Sequence, residues 1–214
     1  MDAIKFHFNH IAADYDSYKR RNWYYYSSLK SLLSSLIPFH RRVLEVGCGT
    51  GDLLAYLHPK YGYGIDISSH MLTIAKTKYP YLRFSTHYPG EKFEYIFMSD
   101  VIEHLTDPLA ILNKITKFMT KHSVFICTMA NPKWEPILML AEKLRLKMPE
   151  GPHNRINFAQ LQHLLLNSGL QITCHDYCLL CPVYLPIISN FSARHLEKYL
   201  KSWSFIEYVV AKKK

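Results

Sequence analysis

The stretch VLEVGCGTGDLL, Val43 to Leu54, constrains the fold of this chain more than any other. Arg42 to Val46 reads as a short buried strand, it passes at once into Gly47, Gly49 and Gly51, and Asp52 to His58 reads as a helix. Glycines at such a junction let the backbone approach a ligand closely, with amide groups and a helix N-terminus facing it. Asp66 lies 19 residues after Gly47, at the end of a second expected strand, Tyr63 to Ile67. A carboxylate at that point can accept both hydroxyls of an adenosine ribose. The loop and its acidic partner are informative together, whereas a lone glycine loop would specify little.

Strands and helices continue to alternate downstream. Upstream, apolar residues at helical spacing (Trp23, Tyr26, Leu29, Leu32, Leu36) predict a helix over Asn22 to Ile37, stopped by Pro38. Ser68 and Ser69 cap a helix through Met71, Leu72 and Ala75. Leu82 to Ser85 and Glu94 to Ser99 read as strands, Val101 through Leu105, Leu109, Leu112, Ile115 and Met119 as one helix face, and Ser123 to Cys127 as a strand. Asn157-Phe158-Ala159-Gln160 has the form of a capping box for a helix that Gly169 ends. Leu170 to Tyr177 and Ser204 to Val210 are the last expected strands. This order predicts an α/β fold, a mostly parallel sheet with helices on both faces. No apolar run is long enough to span a membrane. The N-terminus lacks an apolar signal segment, so the expected location is the cytoplasm. Five cysteines, an odd number without a secreted-scaffold frame, are expected as thiols.

Dinucleotide enzymes favour G-x-G-x-x-G, a spacing suited to a pyrophosphate. Here the pattern is G-x-G-x-G preceded by Glu45, and it resembles motif I of class I S-adenosylmethionine-dependent methyltransferases. YGYGIDIS is similar to the acidic second motif of that family, FEYIFMSDVIEHLTDP to its fourth strand and following helix, and AADYD to the lid segment of small-molecule members. KRRNWYYY, GCGTGDLL and WEPILMLAEKLRLKMPEGPHN together resemble a bacterial subgroup associated with glycan pathways. The resemblance covers nearly the whole chain. It implies a Rossmann-like class I methyltransferase fold with a seven-stranded sheet, in a single domain 1–214. A helical lid would span 1–38, a cofactor-binding half 39–128 and an acceptor-side half 129–214. S-adenosylmethionine would be the cofactor and a small molecule, a saccharide or lipid-linked glycan precursor, the acceptor. Glu45, Gly47, Cys48, Gly49 and Gly51 would form the motif I side of the site, and Asp66 would hold the ribose hydroxyls. Ile67 and Met71 would flank the adenine, Met71 having core packing as its alternative. Asp100, Val101 and His104 would lie beside the sulfonium, and Tyr15 would close over it or pack as plain lid. The chain departs from the family after the third strand, where Thr86-His87-Tyr88 stands in place of an acidic adenine contact.

Methyl transfer from a sulfonium is an in-line displacement, in which the protein chiefly positions the reactants and excludes water. A base is needed only where the acceptor sheds a proton, and His104 and His153 are the candidates. The apolar Leu179 to Phe191 would cover an apolar acceptor, or pack as a lid or a dimer surface. The net charge of +9 keeps an RNA methyltransferase as an alternative, but the basic residues are scattered. Ser99-Asp100-Val101-Ile102 also lacks the Asn/Asp-Pro-Pro-aromatic loop of exocyclic-amine enzymes, and Cys127 reads as core, so a nucleic-acid partner is not expected. A non-catalytic protein that binds S-adenosylmethionine is the other alternative.

Cys174, Cys178 and Cys181 have the C-x3-C-x2-C spacing that holds an iron–sulfur cluster in radical enzymes. Ile172, Cys174, Asp176 and Cys178 alternate as in a strand, so the thiols would not converge, and His175 would face the other way. Neither an iron–sulfur cluster nor any other metal site is expected.

Overall fold

The computed structural model describes residues 2–144, 151–184 and 197–214. Five parallel strands form the middle and one side of the sheet: β1 (Arg42–Val46), β2 (Tyr61–Ile65), β3 (Arg83–Ser85), β4 (Phe93–Ser99) and β5 (Met119–Ala130). β6 (Leu170–Cys178) and β7 (Ile206–Lys213) complete it, β7 running antiparallel to both neighbours. The spatial order β3-β2-β1-β4-β5-β7-β6 reverses direction between β1 and β4. That reversal opens a crevice at the carboxyl ends of the strands, where ligands of such sheets bind.

Two apolar layers cover the faces. Leu44, Ile96, Phe125, Cys127 and Val209 face α5 (Pro108–Ile115) and α7 (Phe158–Asn167), and pack on Leu112, Leu161 and Leu165. On the other face Val43, Phe97 and Ile126 meet Leu29 and Leu33 of α2 (Trp23–Leu36), Leu54 of α3 (Asp52–Tyr56) and Leu72 of α4 (Ser69–Lys78). The expected mostly parallel α/β sheet is what forms.

Several boundaries differ from the sequence expectation. β2 stops at Ile65 because its partner β1 ends at Val46, leaving Asp66 and Ile67 in the turn beyond. The single helix expected from Val101 to Met119 is broken. Ile102–His104 is one tight turn, Leu105 is extended, and α5 starts at Pro108 with the Asp107 carboxylate accepting the Ala110 amide at 2.9 Å. Proline favours the first turn of a helix and pushes the residue before it towards extended backbone. Met119 opens β5 instead. In α2 the buried face is Leu29 and Leu33, and Trp23 is 51% exposed. A register shift between Ile172 and Cys174 places Ile172 against the α5–α7 layer and Cys178 against the other. The expected unbroken alternation of β6 therefore fails at Thr173. Among the described residues no group of His, Cys, Asp and Glu is arranged to hold a metal ion. No described helix is long and apolar enough to cross a membrane.

α1 (Asp2–Arg21) covers α4 and the glycine loop and is pinned at its middle and near its end. At its middle, Ile11 and Ala12 cover Met71, and the Asn9 side-chain carbonyl accepts the Ser68 hydroxyl at 2.7 Å. Near its end, Asp16 and Lys19 join Asp52 of α3 and Lys78 of α4 in a closed square of ion pairs. Lys78 meets Asp16 and Asp52 at 2.6 Å each, Lys19 meets Asp16 at 2.8 Å, and Lys19 also meets Asp52. Burial opposes charge on Asp52, but Lys19 beside it and hydrogen bonds from Lys19, Lys78 and Tyr79 hold its carboxyl well below the usual range. Asp16 is lowered too, against its own burial, by Lys19, Lys78 and Thr50.

Two predictions follow from this anchoring and from the α5 cap. Asp107→Ala should cost about 1 kcal/mol in urea unfolding through loss of the N-cap. For the lid, the native carboxylates take up protons less readily than unfolded ones, so their contribution is complete above the ordinary value of 3.8 and disappears as pH falls below it. Asp52→Asn should therefore unfold more easily than the parent near neutral pH. The gap between the two unfolding curves should close below about pH 4.

Candidate active site

At the carboxyl end of β1 the chain turns on one acceptor. The Ile65 carbonyl receives the amides of Gly47 (2.7 Å) and Cys48 (2.9 Å), which ends the strand and starts the loop. Gly47 has φ 76°, and a Cβ there would stand 2.2 Å from Cγ2 of Val101, so only glycine admits the Val101 turn so close. Gly49 has φ 50°, and its Cβ would lie 3.3 Å from the Tyr15 ring of the lid. Beneath the loop, Glu45 is buried with its carboxylate accepting the Leu54 amide at 3.1 Å. Burial pushes the Glu45 carboxyl well up, against that amide. Glu45 and Cys48 are both buried beneath the loop.

Asp66 follows directly. One of its oxygens accepts the Gly49 amide at 2.7 Å and the other the Ser68 amide at 2.8 Å. Burial raises its carboxyl, against the amides of Ser68, Gly49 and Ile67. Met71 has no exposed surface and packs under α1, which is the core alternative.

At the end of β4, Asp100 takes φ 53°, a left-handed conformation that aspartate tolerates better than most residues. Its amide donates to the Thr128 carbonyl at 3.0 Å, and its carboxylate accepts the Tyr25 hydroxyl. The Tyr15 and Tyr26 hydroxyls are hydrogen-bonded to each other above it. Burial drives the phenols of Tyr15 and Tyr25 well above their ordinary value. Tyr26, Asp66 and Asp100 add to the effect at Tyr15, and Asp100 at Tyr25, so these groups stay neutral donors.

The turn 101–104 then joins two regions. Val101 abuts Gly47, while His104 Nδ1 donates to the Pro152 carbonyl at 3.1 Å and the Glu103 carbonyl accepts the Asn154 amide at 2.7 Å. A carbonyl only accepts, so Nδ1 carries the proton and the lone pair of neutral His104 is on Nε2. The His153 ring stands edge-on to His104 with centroids 6.1 Å apart, and Phe8 of the lid meets His104 from another side at 5.5 Å. His153 Nδ1 pairs with the Gly151 carbonyl at 3.0 Å, and its Nε2 is 3.6 Å from Glu135, which also binds Arg155.

Tyr15, Gly47, Gly49, Asp66, Asp100, Val101, His104 and His153 are therefore brought to one crevice. Three contributors escaped the sequence reading: Tyr25, Tyr26 and Glu135. The run Tyr24-Tyr25-Tyr26 was the one signal for the two tyrosines, because consecutive residues on a helix face different sides, and nothing in the sequence pointed to Glu135. Cys127 has no exposed surface and burial pushes its thiol well up, with Glu103, Asp100 and Glu207 adding to this, so it is no nucleophile. Of the apolar stretch Leu179 to Phe191, the part beyond residue 184 lies outside the described residues, as do residues 145–150 before the EGPHN loop.

S-adenosylmethionine has a ribose diol, an amino-acid end and a sulfonium, and the crevice suits all three. Both Asp66 oxygens accept backbone amides, and the carboxylate, with about four lone-pair sites, keeps capacity for a hydroxyl. The gap at Gly49 is one that a Cβ would fill. Asp100 supplies negative charge where a sulfonium would sit.

Residues 15–175 match the family described as a methyltransferase domain. The chain is 26% identical over 160 residues to the ubiquinone biosynthesis O-methyltransferase of Histophilus somni (strain 2336), covering 64% of this chain and 67% of that one. It is 27% identical over 158 residues to the Cereibacter sphaeroides (strain ATCC 17029 / ATH 2.4.9) protein of the same name, covering 64% of each. The matched region thus spans only about two thirds of these relatives. Its fold is that of a possible histamine N-methyltransferase from Thermotoga maritima (TM-score 0.73, 17% identity, 97% of this chain and 98% of that one). It is also that of magnesium protoporphyrin IX methyltransferase from Synechocystis PCC 6803 with bound S-adenosylhomocysteine (TM-score 0.65, 17% identity, 99% and 98%). With its glycine loop, its Asp66 turn and this sheet order, the chain belongs to the methyltransferase-domain family, in the class I S-adenosylmethionine-dependent fold.

Proposed function

We propose that this protein transfers a methyl group from S-adenosylmethionine to a hydroxyl of a small molecule, with His104 taking the proton. The observation that carries this reading is the turn 101–104, whose first residue touches the glycine loop and whose last touches the loop 151–154. A base at that turn stands between the cofactor-binding half, 39–128, and the acceptor-side half, 129–214. When bound, the cofactor supplies an activated methyl group on a positively charged sulfur.

The chain's own residues do the rest. Asp66 holds the ribose diol, Gly47 and Gly49 give the backbone room, and Ile67 borders the adenine. Asp100, itself oriented by Tyr25, faces the sulfonium, and Tyr15 closes the lid and excludes water. His104, kept in the Nδ1–H tautomer by the Pro152 carbonyl, offers Nε2 to the acceptor hydroxyl as oxygen and methyl carbon approach. His153 borders the acceptor, aligned by Glu135.

The names of the curated relatives favour oxygen as the accepting atom and a small molecule as the acceptor. Phe8, edge-on to His104, places an aromatic ring beside the proposed base and favours a ring-bearing hydroxyl compound, phenolic or saccharide. RNA as acceptor is supported only by net charge.

Asp66→Ala should weaken S-adenosylhomocysteine binding at least about tenfold in calorimetry, since a charge-assisted contact to the diol is lost; the Gly49 and Ser68 amides lose their acceptor as well, so the thermal midpoint should fall by the equivalent of roughly 1–3 kcal/mol and binding is compared well below it. His104→Gln should retain that binding and lose about 10²- to 10⁴-fold in turnover, measured as S-adenosylhomocysteine formed with a panel of phenolic and saccharide hydroxyl compounds. Turnover with RNA alone, or an unchanged rate in the His104 variant, would overturn the proposal.

A further inference from the structure

Beside the ion-pair square, between α1 and α2, is a cavity of about 370 Å³. Lys19 and Lys78 on its wall are compensated by Asp16 and Asp52. Arg20 and Lys30 line the same cavity and have no carboxylate within ion-pair distance among the described residues. Lys30 lies over the Tyr56 ring, with its nitrogen 5.3 Å from the centroid, and Arg20 is exposed. The wall thus carries two cations beyond its two acids, in a solvent-open recess. Ser27 adds a hydroxyl donor, and Trp23, half exposed, provides a flat apolar wall beside the charges.

We propose that this cavity is a second ligand site, which takes the phosphate or diphosphate of a soluble phosphorylated compound between Arg20 and Lys30, with a planar or apolar portion of the same molecule against Trp23. Guanidinium matches phosphate oxygens in a bidentate fork, and a lysine adds a point charge. The volume admits a diphosphate with a small organic group and is below that of most whole-cofactor pockets. Neither the glycine loop nor Asp66 lines the cavity, so a ligand here would be held together with the cofactor. Because Lys19 and Lys78 also anchor α1, occupancy would bear on how firmly the lid is held.

The test is a calorimetric titration of the full chain with inorganic pyrophosphate, alone and in the presence of saturating S-adenosylhomocysteine, at fixed ionic strength. Saturable one-to-one binding is expected, undiminished by S-adenosylhomocysteine. Arg20→Ala/Lys30→Ala should weaken it at least about tenfold. Lys212→Ala/Lys214→Ala, which lowers the net charge equally, should leave it within about twofold. Thermal melting of both variants checks that the fold is retained. Equal loss in both variants would reduce the effect to overall charge, and displacement by S-adenosylhomocysteine would assign the anion to the cofactor site. Absence of saturable binding would likewise overturn the proposal. None of these outcomes depends on the acceptor, so the proposed methyl transfer stands or falls separately.

Discussion

The arrangement of this molecule depends on the double acceptance at the Ile65 carbonyl. By taking the amides of Gly47 and Cys48 it ends β1 and starts the loop that leads into α3. Asp66, the first residue after β2, then accepts the Gly49 amide. Val101, at the end of β4, comes close only because Gly47 has no side chain. Three strand ends are thereby locked around one space, and each contact requires the previous one. A bulkier residue at Gly47 would push Val101, and with it His104, away from the crevice.

The lid shows how charge can do what apolar packing alone would do less selectively. Ile11 and Ala12 bury Met71, but an apolar helix could slide along such a contact. The square of Asp16, Lys19, Asp52 and Lys78 sets the register, because each cation meets both acids. Exposed pairs contribute little individually, and a closed, partly buried set gains from mutual orientation. With the register set, Tyr15 falls over Gly49 and Tyr25 over Asp100. The same square walls off the second cavity, so lid position and that cavity share two lysines.

The cysteine triplet illustrates why spacing alone misleads. Cys174, Cys178 and Cys181 have a cluster's spacing, yet β6 is an edge strand paired along its length with β7. His175 turns to the other face, stacks on Phe158 with centroids 3.6 Å apart and bonds Glu207 at 2.8 Å. Backbone pairing holds the strand extended, and extended backbone spreads side chains rather than gathering them.

What the sequence determined by itself was whatever short-range rules govern. Periodicity and caps announced the βα alternation, the glycines announced the loop, and the 19-residue interval announced its acidic partner. The same rules failed where a partner decided: β2 stops where β1 stops, Pro108 with its Asp107 cap breaks an otherwise continuous apolar period, and Trp23 turns outward although it fits that period. Only the tertiary structure could pair Tyr25 with Asp100 across 75 residues, or His104 with Pro152 across 48. Such contacts are set by how α1, α2 and residues 151–154 settle on the sheet. The physical reason is that backbone preference acts over one or two turns of chain. A hydrogen-bond partner, by contrast, is chosen by burial and shape among all residues that packing brings within reach.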